Sequence, residues 1–334
     1  MKKLGKERKV RAYTNIALIK YWGKKDETLF LPMNSSLSLT LDSFYTETAV
    51  RFDGSLERDE FWLNDVQQEE KAVQKISRVL DLFRETAGIT EPAYVTSTNF
   101  VPTAAGLASS ASGLAALAGA ANLASGLHLD KRTLSTYARR GSGSATRSIY
   151  GGFVEWQMGT NNDDSYAVKI DDADWDIGMV TVIVNSKEKA VSSRAGMKNT
   201  VLTSPFYPSW LESTAKDLTE IKSAIREQDF QKLGEITESN GMKMHATVLG
   251  ATPPFSYWEP DSIVAMHMVR ELRQQGIPCY FTMDAGPNVK VLCRLSDSQK
   301  IQSYLTTYFS PEKVIISGPG KDIEDITNEG VYHD

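Results

Sequence analysis

Residues 102–111 combine small side chains and hydroxyl groups in an order that suits phosphate binding. The segment reads Pro-Thr-Ala-Ala-Gly-Leu-Ala-Ser-Ser-Ala and lies between a predicted strand at 93–101 and an Ala/Leu-rich helix that stops near Gly126. Small residues let backbone N–H groups approach a ligand, and a helix N-terminus adds unpaired donors and a positive dipole end. The segment is neither a Walker loop nor a dinucleotide fingerprint. An Ala-rich core helix with an ordinary serine cap is the alternative interpretation.

A second cluster, at 15–24, places cations beside aromatic rings. It reads Asn-Ile-Ala-Leu-Ile-Lys-Tyr-Trp-Gly-Lys, so Lys20 and Lys24 enclose Tyr21 and Trp22. Lysine ammonium groups are point charges that suit phosphates, and tyrosine offers a phenol O–H beside an apolar wall. A strand that ends in this pattern can turn these groups into one pocket. The alternative is a strand whose lysines are simply solvated.

Residues 142–147 form a third candidate anion site. Ser142, Gly143 and Ser144 precede Arg147 at an expected helix start. Small residues expose backbone N–H groups, the two hydroxyls can donate, and the planar arginine fork matches a carboxylate or a phosphate. A serine cap beside a surface arginine is the alternative.

Asp284 lies at the end of a predicted strand, at the start of the turn Asp-Ala-Gly-Pro-Asn. A second predicted strand follows at 289–293. Aspartate is common in turns, where its side chain accepts local backbone hydrogen bonds. From the residues alone, a local hydrogen bond is therefore the favoured interpretation of Asp284.

These segments together resemble a known family. The pattern Pro-x-x-x-Gly-Leu-x-Ser-Ser-Ala is similar to the second motif of the GHMP kinase superfamily, which binds the ATP triphosphate over this loop. The string Asn-Ile-Ala-x-x-Lys-Tyr-Trp-Gly-Lys is similar to the signature of the diphosphomevalonate decarboxylase family. Kinases of the superfamily do not usually carry Tyr-Trp-Gly-Lys there, so the resemblance is to the decarboxylases. The likeness runs from about residue 8 to 320 and also covers residues 141–153, 245–247, 253–255 and 280–288. The short chain is similar to the bacterial form.

The resemblance implies ATP-dependent decarboxylation of (R)-5-diphosphomevalonate to isopentenyl diphosphate in the mevalonate pathway, with ADP, phosphate and CO₂ as the other products. The 3-hydroxyl would be phosphorylated, phosphate would leave, and CO₂ would follow. Asp284 would be the general base or the orienter of that hydroxyl. Arg147 would fix the substrate carboxylate, Lys20 would tune Asp284, and Ser109 would orient the transferred phosphate.

The implied binding residues fall into a substrate group and an ATP group. The substrate group is Tyr21, Trp22, Gly23, Lys24, Ser142, Gly143, Ser144, Ala145, Thr146, Arg147, Ser193 and Arg194. The ATP group is Pro102, Ala105, Gly106, Leu107, Ala108, Ser109, Ser110, Lys187 and Lys189. Mg²⁺, carried by the ATP phosphates, would be reached by Ser109 or Ser110. Which of the two lysines reaches ATP stays open at this point.

Strands and helices alternate irregularly along the chain, which favours an α+β fold. The length of 334 residues suits about two domains. The resemblance implies a GHMP-kinase-like architecture, with an N-terminal β-α phosphate-loop domain at 1–184 and a C-terminal ferredoxin-like domain at 185–334. The active site would lie in the cleft between them. Helical spacing predicts helices at 69–84, 211–228, 229–240 and 261–275.

The acidic segment 53–70 is weakly patterned. It could be a flap over ATP or a hairpin tip. Its residues therefore leave its role open.

Composition argues against several other classes of protein. The net charge of -5 gives no basic field for nucleic acid or an anionic membrane. Residues 92–127 are uncharged but too polar and interrupted for a membrane span. The two cysteines, Cys279 and Cys293, are too few for a disulfide framework, so a cytoplasmic setting is expected. The four histidines lack metal-ligand spacing, and His267 is expected to pack on the apolar side of a helix.

The expected partners are therefore small molecules, and the resemblance adds a homodimer, although the sequence carries no interface signature. Two rival functions remain. One is a GHMP kinase that phosphorylates mevalonate or a relative without decarboxylating it. The other is a catalytically inactive regulator that binds ATP or a metabolite.

Overall fold

The computed structural model describes residues 5–100, 109–185 and 190–329, and within these ranges the strands form an eight-stranded, a four-stranded and a two-stranded sheet. The strands are β1 (Arg8–Ile19), β2 (Lys24–Asp26), β3 (Leu31–Pro32), β4 (Ser36–Phe52), β5 (Glu60–Leu63), β6 (Val66–Gln67), β7 (Ala93–Phe100), β8 (Phe153–Trp156), β9 (Ala167–Asp171), β10 (Gly178–Val182), β11 (Cys279–Met283), β12 (Val289–Cys293), β13 (Val314–Ser317) and β14 (Glu324–Asp325). The helices are α1 (Glu70–Ala87), α2 (Ser109–Ala124), α3 (Lys131–Gly141), α4 (Ser193–Thr203), α5 (Tyr207–Arg226), α6 (Phe230–Leu249), α7 (Pro260–Gln274) and α8 (Ser298–Leu305). The 3₁₀ helices are Gly143–Ile149, Leu295–Asp297 and Pro311–Lys313.

The N-terminal unit is built on a sheet in which the long strand β4 pairs with β1, β7 and β8. Helices α1, α2 and α3 cover it over an apolar core that includes Val50, Phe83 and Leu117. Because α2 is rich in small residues, it packs closely: a Cβ added at Gly119 would lie 2.9 Å from Val10 of β1. The predicted β-α unit is confirmed by this arrangement.

The C-terminal unit contains an antiparallel sheet in the order β11-β12-β10-β13. Helices α4 to α7 connect β10 with β11, and α8 connects β12 with β13. This succession of strands and helices is the ferredoxin-like topology. The α+β prediction and the two-unit architecture are therefore confirmed.

A shared apolar cluster joins the two units. It packs Leu18 of β1 and Leu37 of β4 against Met179 of β10, Ile221 of α5 and Leu292 of β12, all of them buried. The end of β1 therefore lies against the second sheet, where β11 also ends. This junction sets the position of the site described below.

The division of the chain at residue 184 stays a prediction. Strand β10 pairs with β12 and β13, and this pairing favours a boundary a few residues earlier. At the other end, β14 returns to pair with β1 of the N-terminal sheet.

Two further features bear on the sequence predictions. Segment 53–70 contains the antiparallel pair β5 and β6, as expected for a hairpin tip. The prediction for His267 is wrong, because that residue lies on the exposed side of α7. Among the described helices, none combines the length and the apolar character required to cross a bilayer.

Candidate active site

Two residues that directly follow strand ends meet in the cleft. Lys20 follows β1 and Asp284 follows β11, and Nζ of Lys20 lies 2.8 Å from Oδ1 of Asp284. The Lys20 side chain is 3% exposed and that of Asp284 is 37% exposed. The carboxylate thus faces the cleft while its partner cation is withdrawn from water. The structure brings together the pair that the sequence singled out in two distant motifs.

Lys20 is fixed at its ammonium group and at its backbone. Nζ also donates to the carbonyl of Ala17 at 2.7 Å. Its backbone N–H donates to Oδ1 of Asn240 at 2.9 Å, and its carbonyl accepts from Nδ2 of Asn34 at 2.8 Å. Burial lowers the pKa of Lys20, and the charge of Asp284 opposes that change. The solvated-lysine interpretation is therefore wrong for Lys20.

Asn240, which sequence reasoning missed, anchors this arrangement to α6. It is buried, and its Nδ2 donates to Oδ2 of Asp217 at 2.9 Å. Lys243 pairs with the same carboxylate at 2.9 Å. Asparagine has a low helix propensity, so its presence inside a predicted helix was the one sequence signal that Asn240 has a specific role.

Arg147 is buried in the 3₁₀ helix between α3 and β8. Its Nε donates to Oδ1 of Asn15 at 3.2 Å, and Nη1 donates to Oγ of Ser36 at 2.5 Å. Burial lowers the pKa of Arg147 to about 10, with Asp284 and Tyr21 opposing the change, so the guanidinium is charged at neutral pH. Within the described residues, no carboxylate lies at ion-pair distance from it. The surface-arginine interpretation is therefore wrong.

Asn15 holds the loop that precedes Arg147. Its Nδ2 donates to the carbonyl of Ser144 at 2.9 Å and to Oγ of Ser148 at 2.8 Å. Asn15 and Ser36 come from neighbouring strands, β1 and β4. Among the described residues, the side chains that accept hydrogen bonds from Arg147 are neutral, so the buried cation is prepared to bind an anion.

Tyr21 lines the same region as Arg147. Its ring packs on Trp156 with centroids 4.8 Å apart. A Cβ on Gly143 would lie 2.9 Å from Cε1 of Tyr21, so a glycine is required there. The Tyr21 hydroxyl is buried without a hydrogen-bond partner among the described residues. Burial raises its pKa, which keeps the hydroxyl protonated and able to donate to a ligand.

The loop at 142–147 supplies further hydroxyl groups. Oγ of Ser142 and Oγ of Ser144 lie 3.3 Å apart. Ala145 and Thr146 are buried, and the Thr146 hydroxyl has no hydrogen-bond partner among the residues described. The hydroxyls of Ser142 and Ser144 are therefore close enough to contact the same anionic ligand.

Trp22 and Gly23 contact the C-terminal unit. The Tyr207 hydroxyl donates to the carbonyl of Trp22 at 2.6 Å. Gly23 has a φ of +111°, and a Cβ there would lie 2.0 Å from the same hydroxyl. The Trp22 indole is buried in an apolar cluster with Tyr207 and Tyr257. Its contact with substrate stays a prediction, and its packing gives it a structural role.

Lys24 and Arg194 come from different units and converge on one ring. Nζ of Lys24 lies 3.8 Å from the centroid of Phe30, and Cζ of Arg194 lies 5.9 Å from it. Lys24 also pairs with Glu27 at 3.0 Å. Burial lowers the pKa of Lys24, and Glu27 opposes this change. Ser193 is the half-buried first residue of α4.

The predicted ATP contacts fall mostly outside the described residues. These are Pro102, Ala105, Gly106, Leu107, Ala108, Lys187 and Lys189. Helix α2 begins at Ser109, and Ser110 in its first turn is exposed. The parts of the chain that the structure describes contain no group of three His, Cys, Asp or Glu residues able to hold a metal. An exposed hydroxyl is nevertheless a hard oxygen of the kind that Mg²⁺ accepts.

Two more residues beside Asp284 were missed from the sequence. Nζ of Lys290 lies 3.5 Å from Oδ2 of Asp284 and donates to the carbonyl of Asn288 at 3.2 Å. His245 of α6 lies 3.4 Å from the carbonyl of Met283, and burial lowers its pKa to about 4. A lysine within the apolar string Val-Lys-Val-Leu-Cys was the available signal for Lys290.

The fold and the cleft define a class of protein. A GHMP-kinase-like pair of units brings together a carboxylate and buried cations, and the N-terminal unit also carries a helix that begins at Ser109. This is the construction of an enzyme that acts on an anionic small molecule.

Comparison with known proteins identifies the family. A sequence model of the diphosphomevalonate decarboxylase-like N-terminal domain matches residues 12–167, and one of the mevalonate 5-diphosphate decarboxylase C-terminal domain matches residues 179–328. The chain belongs to the diphosphomevalonate decarboxylase family.

Individual relatives agree over nearly the whole length. Diphosphomevalonate decarboxylase from Candida albicans is 37% identical over 317 residues, which is 90% of this chain and 88% of the relative. The crystal structure of mevalonate diphosphate decarboxylase from Staphylococcus aureus has a TM-score of 0.94 and 51% identity, and covers 97% of this chain and 99% of that one. A structure of MDDEF in complex with MVAPP, AMPPCP and magnesium has a TM-score of 0.92 and 54% identity, covering 96% and 98% of the two chains.

Proposed function

We infer that this chain catalyses the ATP-dependent decarboxylation of (R)-5-diphosphomevalonate to isopentenyl diphosphate, with release of ADP, phosphate and CO₂. The activity is that of its named relatives. One observation carries the inference within this chain: the carboxylate of Asp284, at 2.8 Å from buried Lys20, faces the cleft that also holds Arg147.

Asp284 acts first, on the tertiary 3-hydroxyl. A hydroxide is a poor leaving group, so the 3-oxygen is phosphorylated before it departs. The oxygen attacks the γ-phosphorus, ADP leaves, and the hydroxyl proton passes to the carboxylate that orients it. The nearby ammonium of Lys20 favours the ionised form of Asp284, which is the form able to accept that proton.

Arg147 acts on the second half of the reaction. When the C3–O bond breaks, phosphate leaves with the bonding pair and C3 becomes electron-deficient. The pair of the C1–C2 bond then forms the C2–C3 double bond, and CO₂ leaves. The guanidinium of Arg147 holds the substrate carboxylate in the required plane, because Asn15 and Ser36 fix the fork in one orientation.

The substrate diphosphate is proposed to lie among the hydroxyls and cations on the other side of the cleft. Tyr21 donates its buried hydroxyl, and Ser142 and Ser144 add theirs. Lys24 and Arg194 supply positive charge from the two units. The remaining members of this wall are Trp22, Gly23, Gly143, Ala145, Thr146 and Ser193.

ATP is the co-substrate, and Mg²⁺ accompanies its phosphates. AMPPCP and magnesium are named in the complex of the related MDDEF. The metal, when bound, neutralises phosphate charge during transfer. We propose that the N-terminus of α2 faces the phosphates, with Ser109 and Ser110 close to the metal-bearing oxygens. The lysine pair 187 and 189 is proposed to supply an additional phosphate contact.

Homodimer formation and residence in the cytoplasm are also proposals. The first derives from the resemblance and the second from the low cysteine content. Light scattering at several protein concentrations tests the first. Fractionation of cells that express the full chain tests the second. A monomeric mass at high concentration would contradict the dimer.

The decisive experiment follows ADP and CO₂ together in a coupled assay with ATP, Mg²⁺ and (R)-5-diphosphomevalonate. Equal release of both is expected. ADP without CO₂ would instead indicate a kinase and would remove the roles given to Arg147 and Asp284. Neither product, from protein that still binds ATP, would indicate a regulator.

A further inference from the structure

Lys290 is a buried lysine that the reaction described above does not use. It lies on β12, between the apolar residues Val289 and Val291, and its side chain is 5% exposed. Its Nζ lies 3.5 Å from Oδ2 of Asp284 and donates to the carbonyl of Asn288 at 3.2 Å. Burying an ammonium group is costly unless a nearby anion or acceptor compensates for the lost water. The carboxylate of Asp284 is the anion that does so here.

The two oxygens of Asp284 therefore face different cations. Lys20 contacts Oδ1 from the N-terminal unit, and Lys290 approaches Oδ2 from the C-terminal unit. The Lys20 contact is also shared with a carbonyl of its own strand. Because these two contacts engage different oxygens, both oppose rotation of the carboxylate about its bond to Cβ.

The charges around Asp284 are unequal. Among the described residues, three cations face it, namely Lys20 after β1, Lys290 on β12 and Arg147 on the 3₁₀ helix. His245 faces the same region from α6 and is neutral at neutral pH, since burial lowers its pKa to about 4. The excess of positive charge favours the ionised carboxylate and suits an anionic substrate.

We propose that Lys290 is a positioning residue for Asp284: it holds the carboxylate ionised and fixes the orientation in which that carboxylate meets the 3-hydroxyl. The catalytic consequence rests on the proposed function. The effect on Asp284 itself does not, and it can be measured without substrate.

The test is an NMR titration of the Asp284 side-chain carbonyl carbon in the full chain labelled with ¹³C-aspartate, assigned with Asp284→Asn. Removing an opposite charge at this distance raises a carboxyl titration midpoint by about one pH unit. We expect that shift in Lys290→Met and in Lys290→Gln, since both are neutral, and a midpoint near the wild-type value in Lys290→Arg. Because Gln retains a donor for Asn288, it separates loss of charge from loss of a hydrogen bond.

The chain offers a matched control in Asp322, which also pairs with two lysines, Lys131 and Lys169. Lys169→Met removes one of two cations from a carboxylate outside the site and should leave the Asp284 midpoint unchanged. An unchanged midpoint in both neutral Lys290 variants, with folding verified by amide spectra, would overturn the proposal.

Activity supplies a second readout. With the wild type active on diphosphomevalonate, Lys290→Met should lower kcat at least 10-fold, leave the KM for ATP near normal, and move the acidic limb of the kcat/KM profile to higher pH. An inactive wild type would refute the proposed function while the NMR result still decides the role of Lys290. A normal kcat with an unshifted limb would contradict the positioning role.

Discussion

Lys20 and Asp284 are 264 residues apart in the chain, yet Nζ of Lys20 lies 2.8 Å from Oδ1 of Asp284. One residue follows a strand of the N-terminal sheet and the other follows a strand of the C-terminal sheet. The pair therefore exists only when the apolar junction between the units is packed. Both sheets are needed to define the geometry of this carboxylate.

Replacement of the carboxylate tests the central assignment. Asp284→Asn keeps the shape of the side chain but cannot accept a proton, so turnover should fall by about 10²–10⁴-fold while ATP binding stays near normal. Rates from the coupled assay and nucleotide affinity from calorimetry check this. Asp176→Asn, at an exposed loop carboxylate hydrogen-bonded to Ser296, is the control and should retain normal turnover. Survival of more than about a tenth of the rate in Asp284→Asn would exclude a general-base role.

Arginine geometry at position 147 is a second test. Arg147→Lys keeps the positive charge but cannot contact Asn15, Ser36 and a substrate carboxylate in one plane. A charged hydrogen bond contributes about 1.5–3 kcal/mol, so kcat/KM should fall by about 10- to 150-fold. Arg139→Lys is the control, since Arg139 is equally buried but donates to Leu29, Asn162 and Ser165. Arg139→Lys should lower stability and leave kcat/KM per folded molecule unchanged. Equal losses of kcat/KM in the two variants would refute the role of Arg147 in holding the substrate carboxylate.

Strand positions were predictable from the sequence because the apolar patterns were short and clear. The β-branched and aromatic residues at 36–52 predict a strand, and the strings on either side of the Asp284 turn predict strands at 279–283 and 289–293. The observed strands β4, β11 and β12 have those bounds. Prediction failed where a polar or weakly amphipathic segment depends on tertiary contacts, as in β9 and α4. Helix α6 was expected to stop at 240. It continues to Leu249, so Gly241 lies inside the helix and does not end it. The glycine is needed there for close packing against β11, since a Cβ would lie 2.9 Å from Thr282 Oγ1.

The site divides in the same way. Lys20, Arg147 and Asp284 were found through local strings of distinctive residue types, and the cleft brings them together. Asn240 and Lys290 belong to ordinary stretches of α6 and β12, and their importance depends on what lies opposite them. Asn240 meets Lys20 only when the two units pack, whereas Lys290 meets Asp284 through the pairing of β11 with β12.

Asn240 should contribute to stability as well as to placement. Asn240→Ala leaves the buried N–H of Lys20 without its acceptor and removes a donor to Asp217. An unsatisfied buried donor costs about 1–3 kcal/mol, so the free energy of unfolding should fall by about 2 kcal/mol in urea titrations. Ser239→Ala, at the exposed neighbour on the same helix, should change it little. Equal effects of the two substitutions would mean that the Asn240 hydrogen bonds do not contribute specifically to the free energy of unfolding.

Acid sensitivity should originate in part from His245. Burial lowers its pKa from 6.5 in the unfolded chain to about 4 in the folded protein, with the Lys20 charge acting in the same direction. The unfolded chain therefore binds more protons between these values, so the contribution of His245 to stability is complete above pH 6.5 and is lost as the pH falls toward 4. The loss should reach about 3 kcal/mol. Urea titrations at pH 7 and pH 4.5 should show a smaller pH dependence in His245→Asn than in the wild type, whereas His267→Asn, at an exposed histidine, should retain the wild-type dependence. An equally steep loss of stability in His245→Asn would assign the acid sensitivity to other groups.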